Sequence, residues 1–265
     1  MAVAPRARGL LSLIAKRRGT DTVIADLRQE GSLKALFPKV RGKALDCVFL
    51  NTSGGLTGGD QMTMQVVAAP GAEVVVSSQA AERAYRAQPG QVAEVAVDLD
   101  VGPKGRINWL PQETILFDYA ALTRRLNVWL AGDATALLVE PVIFGRAAMG
   151  ETVRQIHFQD QWRVYRDGRL VFADAIRLAG DAHVLCARKA IANGAGAMAT
   201  ILLASPTAAA CAARIETEVS SGASLIADDL LLIRLLAADG FALRQQMLPV
   251  IKALSSTPIP RVWSL

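Results

Sequence analysis

From residue 43 to about residue 204 the chain is cut into short apolar or alternating runs that recur every eight to twelve residues. Gly, Pro and Asp stand between them: PG at 70 and 71, PG at 89 and 90, GPKG at 102 to 105, and AGD at 131 to 133 and at 179 to 181. Punctuation at this spacing predicts an all-β body. Two stretches show the period of two directly. In QMTMQVVA, Met62, Met64, Val66 and Ala68 alternate with Gln61, Thr63, Gln65 and Val67, which reads as a strand with one buried face. In QWRVYRDGRLVFAD, Asp167-Gly168 supplies two positive-φ residues between alternating arms, the chemistry of a hairpin with a type I′ turn. Near the start, GLLSLIA reads as a first strand and not as a targeting segment, because Lys16, Arg17 and Arg18 follow the apolar run and no small-residue cleavage site comes after it. No fixed internal period appears, so a strict repeat solenoid or propeller is not supported.

The last sixty residues change character. After the strand-like AMATILLA comes PTAAACAARIETEVSSG, rich in helix formers, with Ser205 as N-cap, Pro206 at the first helical position and Gly222 as stop. LLLIRLLA reads as a buried strand, and GFALRQQMLPVIKAL as a second helix that begins at Asp239 and bends at Pro249. The expectation is one domain over residues 1 to 265: a β body to about 204, then a strand-helix-strand-helix annex from about 205, in the α+β class with β predominant.

Just over half of the residues are apolar and the mean hydropathy is positive, yet no uninterrupted apolar stretch reaches the roughly 18 residues of a membrane span. Excess apolar surface of this kind points to contacts with other proteins. A net charge of +5 invites a nucleic-acid reading, but the basic residues are scattered, apart from Lys16 to Arg18 and the pair Arg124 and Arg125, and aromatics for stacking are few. Neither a membrane nor a nucleic acid is expected as partner. Cys47, Cys186 and Cys211 are odd in number and far apart, which suits reduced thiols in a cytoplasmic protein.

NTSGGLTGGD, residues 51 to 60, resembles a phosphate cradle only at first sight. Asp60 and Gln61 follow the last glycine where a phosphate loop needs a lysine and a hydroxyl, and the next segment is a strand. Gly54, Gly55, Gly58 and Gly59 therefore read as a structural turn between strands. His157 and His183 are the two histidines, in no metal-binding spacing, so a closed zinc or nickel site is not expected. No serine-nucleophile elbow is present either. The informative groups are carboxylates: Asp60, Glu82 in AAERAYR, Glu113 in LPQETI, Glu140 in LLVEPVIFGR and Glu151 in AMGE. Glu140 stands in the run ATALLVEPVIF, where a charge is costly without a partner. Arg146 is the expected structural partner, and a functional role is the alternative. A pair of such acids could serve a carbohydrate-active enzyme.

Taken together, LRQEGSLKALFPK (27 to 39), LNTSGGLTGGD (50 to 60), SSQAAERAYRA (77 to 87), LPQETILFD (110 to 118), EPVIFGRAAMGE (140 to 151) and the terminal PRVW (260 to 263) resemble the UreD family of urease accessory proteins, also called UreH. The blocks run in the family's order from about residue 5 to the end. Two positions depart from the pattern: Tyr119 stands where the family commonly has glycine, and Ala147 where proline often follows GR. The resemblance implies a β-helix-like stack of many short strands with two helices near the C-terminus. It also implies a non-catalytic scaffold that docks on apo-urease and recruits UreF, which holds the GTPase UreG. Nickel from UreG, itself supplied by UreE, then reaches the urease centre through a hydrated passage. On this reading no cofactor is tightly bound and nickel is transient. The passage candidates are Asp60, Glu82, Glu113, Glu140 and Glu151, with Tyr85 and Arg86 shaping or pairing with them. The four glycines, Pro111, Gln112, Gly145 and Arg146 belong to the motifs that carry the resemblance. Leu243, Met247 and Ile251, at helical spacing, are the candidate UreF contact, with core packing as the simpler alternative.

Overall fold

The computed structural model describes residues 5–39, 42–215 and 221–264. The chain begins with β1 (Arg8–Arg18), β2 (Asp21–Gly31) and β3 (Leu33–Leu36), then crosses repeatedly between two sheets. It passes from β4 (Leu45–Asn51) to β5 (Gln61–Ala68), and from β6 (Glu73–Ser78) through the short β7 (Glu82–Ala84) to β8 (Ala93–Val101). It continues from β9 (Arg106–Leu110) through β10 (Thr114–Leu116) to β11 (Ala121–Leu130), and from β12 (Thr135–Phe144) to β13 (Ile156–Arg166). Within the first sheet β1, β5, β8, β11 and β13 pair in parallel, and within the second β4, β6, β9 and β12 do the same. Each coil thus lies on the one before it, a β-solenoid of about four turns. On a third side β7 and β10 form a short parallel ladder that ends on β12.

Antiparallel strands close both ends of the stack. At the N-terminal end β2 pairs with β1 and β3 with β4. At the other end β14 (Arg169–Gly180) covers β13, while β15 (Ala197–Ala204), β17 (Leu230–Ala237) and β16 (Gly222–Ala227) extend the second sheet beyond β12. The edges of the two sheets are therefore the antiparallel strands β2 and β14, and β3 and β16, and not the parallel coils themselves. The β13–β14 turn is the expected one, with Asp167 at φ 50° and Gly168 at φ 78°.

The two sheets bury their faces differently. Strands of the first alternate, as in β5, where Met62, Met64, Val66 and Ala68 face the interior. β12 is buried from Thr135 to Val142, because Ala136, Leu138 and Val142 point into the solenoid while Leu137 and Val139 point outward under helix. The covering helix is α3 (Gly240–Leu254), begun as expected by Asp239, whose carboxylate accepts the Ala242 amide at 2.8 Å. It runs continuously through Pro249. Leu243, Met247 and Ile251 are each fully buried against the outer face of the second sheet. At about 1.5–3 kcal/mol per buried side chain, this stripe fastens the helix to the sheet.

The structure departs from expectation in three places, the first being β16, a strand begun at Gly222 and paired with β17 where LLLIRLLA alone is expected. The first of the annex helices shrinks to α2 (Ala208–Ala212), with Thr207 and not Ser205 at the N-cap position, where it makes no side-chain cap, and with Ser205 Oγ accepting the Thr207 amide; residues 216–220 of the expected helix lie outside the described residues. Five residues are too few to be helical on their own, and α2 leans on Ala208 and Cys211, packed under the second sheet. A further helix not anticipated from the sequence, α1 (Ala182–Ala187), follows β14 and is capped by Asp181.

Candidate functional site

Between the sheets lies a cavity of about 320 Å³. Its lining is mixed: Leu33, Met62, Met64, Val97 and Leu122 form an apolar part, Phe49 stacks on Trp109 with ring centres 5.6 Å apart, and Ser78, Gln112, Thr114 and Arg124 stand among them. Gly54, Gln79, Ala80 and Arg83 on its lining are exposed, so it opens on the loop side of the stack, whereas Trp109, Arg124 and Glu140 are buried.

Glu140 enters this space because β12 alternates and its even-numbered residues face inward. Glu140 Oε1 accepts the Trp109 indole N–H at 2.7 Å, and Oε2 pairs with Arg124 Nη1. Arg124 is not the partner expected from the sequence; Arg146 lies elsewhere, on Glu151. The guanidinium also spends Nε and Nη2 on Asp160, at 3.1 and 2.7 Å, and Nη1 donates to Thr114 Oγ1 at 3.1 Å. Arg124 and Asp160 are directly paired positions of β11 and β13. Burial raises Glu140, with Asp160 adding to the effect and Arg124 and Trp109 opposing it, so that its carboxyl rises to about 7. Burial works against the charge of Arg124, but the two carboxylates outweigh it and hold the guanidinium protonated above its ordinary range.

Glu82 is the second acid on the cavity wall. Asn51 Nδ2 donates to its Oε2 at 3.2 Å and the Arg83 amide to its Oε1 at 3.1 Å. Burial pushes its carboxyl upward against these hydrogen bonds. Pro111 and Gln112 also line the cavity; the Gln112 amide nitrogen bonds to the carbonyls of Gln79 and Val262, fastening the C-terminal segment across the second sheet.

The remaining acids lie apart from the cavity. Asp60 gives one oxygen to the Ala7 amide and the other to the Thr57 amide, both at 2.8 Å, and so closes the glycine-rich turn. That turn lies flat on the next coil: a Cβ at Gly55 would come within 2.4 Å of the Tyr85 ring, and one at Gly58 within 2.7 Å of the Gln91 carbonyl oxygen. Gly54 and Gly59 take positive φ in the same turn, and Gly145 does so after β12. Glu113 faces the opposite side of the second sheet, where Arg244 grips both its oxygens at 3.0 and 2.9 Å. Glu151 bonds Arg146 Nε at 2.9 Å and the Asp118 amide, and the Arg146 bond holds its carboxyl below the usual range. Tyr85 packs edge-on against Phe117 and Arg86 lies 4.1 Å over the Tyr119 ring, both on the exposed loop face. Tyr119 itself has φ 65°, a conformation natural to glycine. Leu243, Met247 and Ile251 lie in the core and offer no contact surface.

Arg124 and Asp160 were absent from the sequence candidates, although a signal for them exists. Each occupies the inward phase of an alternating strand, Arg124 between Leu122 and Leu126 and Asp160 between Phe158 and Trp162. Among the described residues no group of three or more His, Cys, Asp and Glu side chains is arranged to hold a metal ion. The cavity therefore offers oxygen donors from two separated acids, a set that engages a divalent ion weakly. Glu140 faces a guanidinium across its ion pair, not a second carboxylate, so the paired-acid hydrolase alternative gains no support here.

Comparison with known proteins agrees over nearly the whole chain. The sequence model of the family described as UreD urease accessory protein matches residues 7–264. The urease accessory protein UreD of Ruegeria sp. (strain TM1040) is 46% identical over 272 residues, covering 98% of this chain and 91% of its own. That of Ruegeria pomeroyi is 44% identical over 96% of this chain and 100% of its own, and that of Rhizobium leguminosarum bv. viciae is 45% identical over 98% and 96%. A capped solenoid whose sequence follows these relatives from β1 to Trp263 belongs to the UreD urease accessory protein family.

Proposed function

We propose that this chain serves urease maturation as a non-catalytic cytoplasmic scaffold, which docks on apo-urease, recruits UreF and through it the GTPase UreG, and passes nickel toward the urease metallocentre. UreE enters only as the source of nickel. Nickel is cargo on this reading and not a resident cofactor. The observation that carries it is the cavity between the sheets, open at the loop side, with Glu82 and the buried Glu140 on its wall. Two spaced carboxylates in a chamber of mixed apolar and polar lining attract a divalent ion without caging it, as transit requires.

Glu82→Gln and Glu140→Gln test this in urease activation reconstituted with the accessory proteins. Each is expected to lower nickel content and activity of urease while the complex still assembles, as followed by size-exclusion chromatography. Unchanged nickel loading in the double variant refutes passage through this cavity.

For UreF, α3 is the element the reading favours, but through its outer face. Phe241, 72% exposed at the start of the helix, is the side chain to alter. Phe241→Asp is expected to reduce co-purification with UreF. Deleting residues 239 to 265 is the poorer test, because it strips the cover from Val139, Ile201 and Ile233.

A further inference from the structure

Resting on the reading of the cavity as a route for nickel, we propose that Arg124 is a resident counter-charge, which keeps the cavity floor from retaining a divalent cation and so makes the site one of passage. The geometry divides the guanidinium unequally. Nε and Nη2 form a two-pronged grip on Asp160, and Thr114 steadies Nη1, so that three of its contacts fix it to the wall. A single arm reaches Glu140, whose other oxygen is held by Trp109. An arriving cation can therefore draw on Glu140 at the cost of one contact, while Arg124 stays in place.

Charge then decides how long the cation remains. The carboxylates of Glu140 and Asp160 share one guanidinium, and Glu82 stands as a further acid on the wall. That is enough to draw in a divalent ion. The positive charge in direct contact with Glu140 repels the same ion once it arrives. Without Arg124, Glu140 and its neighbour Asp160 would have no cation beside them, and the chamber would turn from a conduit into a trap. Arginine suits this task because its charge persists at every pH the protein meets, and because its planar fork can hold Asp160 while extending one nitrogen elsewhere.

The test uses the chain co-purified with its accessory partners. Complexes carrying wild-type protein, Arg124→Met or Arg124→Lys are incubated with nickel chloride and desalted, and bound nickel per complex is measured together with thermal unfolding. Removing a unit charge a few ångströms from a divalent ion, at an effective dielectric near 20, is expected to tighten nickel retention by at least about a hundredfold in Arg124→Met. Arg124→Lys should stay near wild type. A merely structural role would lower stability without any gain in bound nickel. Should Arg124→Met fail to fold, Arg124→Gln combined with Asp160→Asn replaces the pair by hydrogen-bonding amides and leaves Glu140 without its neighbouring cation, and it too should retain more nickel. A folded variant of either kind that holds no more nickel than wild type overturns the proposal. Increased retention with undiminished loading of urease instead supports the counter-charge and refutes the cavity as the route.

Discussion

The second sheet carries a Glu–Arg–Trp group on each of its faces, and the two behave differently. On the outer face Arg244 takes both oxygens of Glu113 and the side-chain oxygen of Gln112, lies 5.1 Å over the Trp263 ring, and remains about a quarter exposed. Trp263 in turn donates to the Leu110 carbonyl, so the group stitches α3 and the C-terminal segment to the sheet. On the inner face Arg124 is buried, its fork belongs to Asp160, and Glu140 receives one arm beside a cavity. The same residue types give a clasp in one place and a buried acid held by a single arm in the other. What separates them is whether the guanidinium must serve a second carboxylate, and whether open space lies alongside.

Stability should separate the two groups most sharply. Arg124→Met strands two buried carboxylates and is expected to cost about 3–5 kcal/mol. Arg244→Met removes an arginine that is itself a quarter exposed, so that water can reach the freed Glu113, and should cost about 1–3 kcal/mol. Urea denaturation midpoints at pH 7 measure both, and equal losses would erase the distinction.

Next in size is a pH effect confined to the inner group. Glu140 holds its proton to about pH 7 in the folded chain, against an ordinary value of 4.5, so the folded state binds more protons than the unfolded state between these limits. Stability should fall as pH rises through that window and level off above it. Glu140→Gln should abolish that component and Glu113→Gln should leave it, as read from thermal unfolding between pH 4.5 and 8.

Smaller effects follow at the tryptophans and at Thr114. Trp109→Phe and Trp263→Phe each remove an N–H donor and should each cost about 1–2 kcal/mol. Only the first deprives an acid of a bond that favours its charged form, so only the first should move the pH window upward. Thr114→Val removes one support of Arg124 and should cost about 0.5–1.5 kcal/mol, with a modest gain in nickel retention.

What could be read in the sequence follows from how local each signal is. The alternation of β5 and the Asp167-Gly168 turn are written within ten or so residues, and both stand where the pattern places them. Glu140 was conspicuous as a lone charge in an apolar run. Its partner was not, because Arg146 is near in the chain whereas Arg124 arrives from the opposite sheet across the interior. Tyr119, at the position where the resemblance leads glycine to be expected, sits at φ 65°, a backbone conformation that glycine adopts without strain. Asp60, Glu113 and Glu151 were as prominent in the sequence as Glu140, yet each is taken up by backbone amides or an arginine away from the cavity. Spacing along a chain does not reveal which side of a coil a residue will face once short third-side strands such as β7 and β10 intervene.

The N-terminal cap also bears on how the protein is made. β1 with β2, and β3 with β4, can pair from neighbouring residues as soon as they leave the ribosome. Every later coil then finds a finished layer to settle on, so the order of translation can serve as the order of assembly. A chain halted before β14 and β15 would present the parallel coils as bare edges at its growing end, and such fragments should aggregate, whereas β14 and β15 cover those coils once they are made.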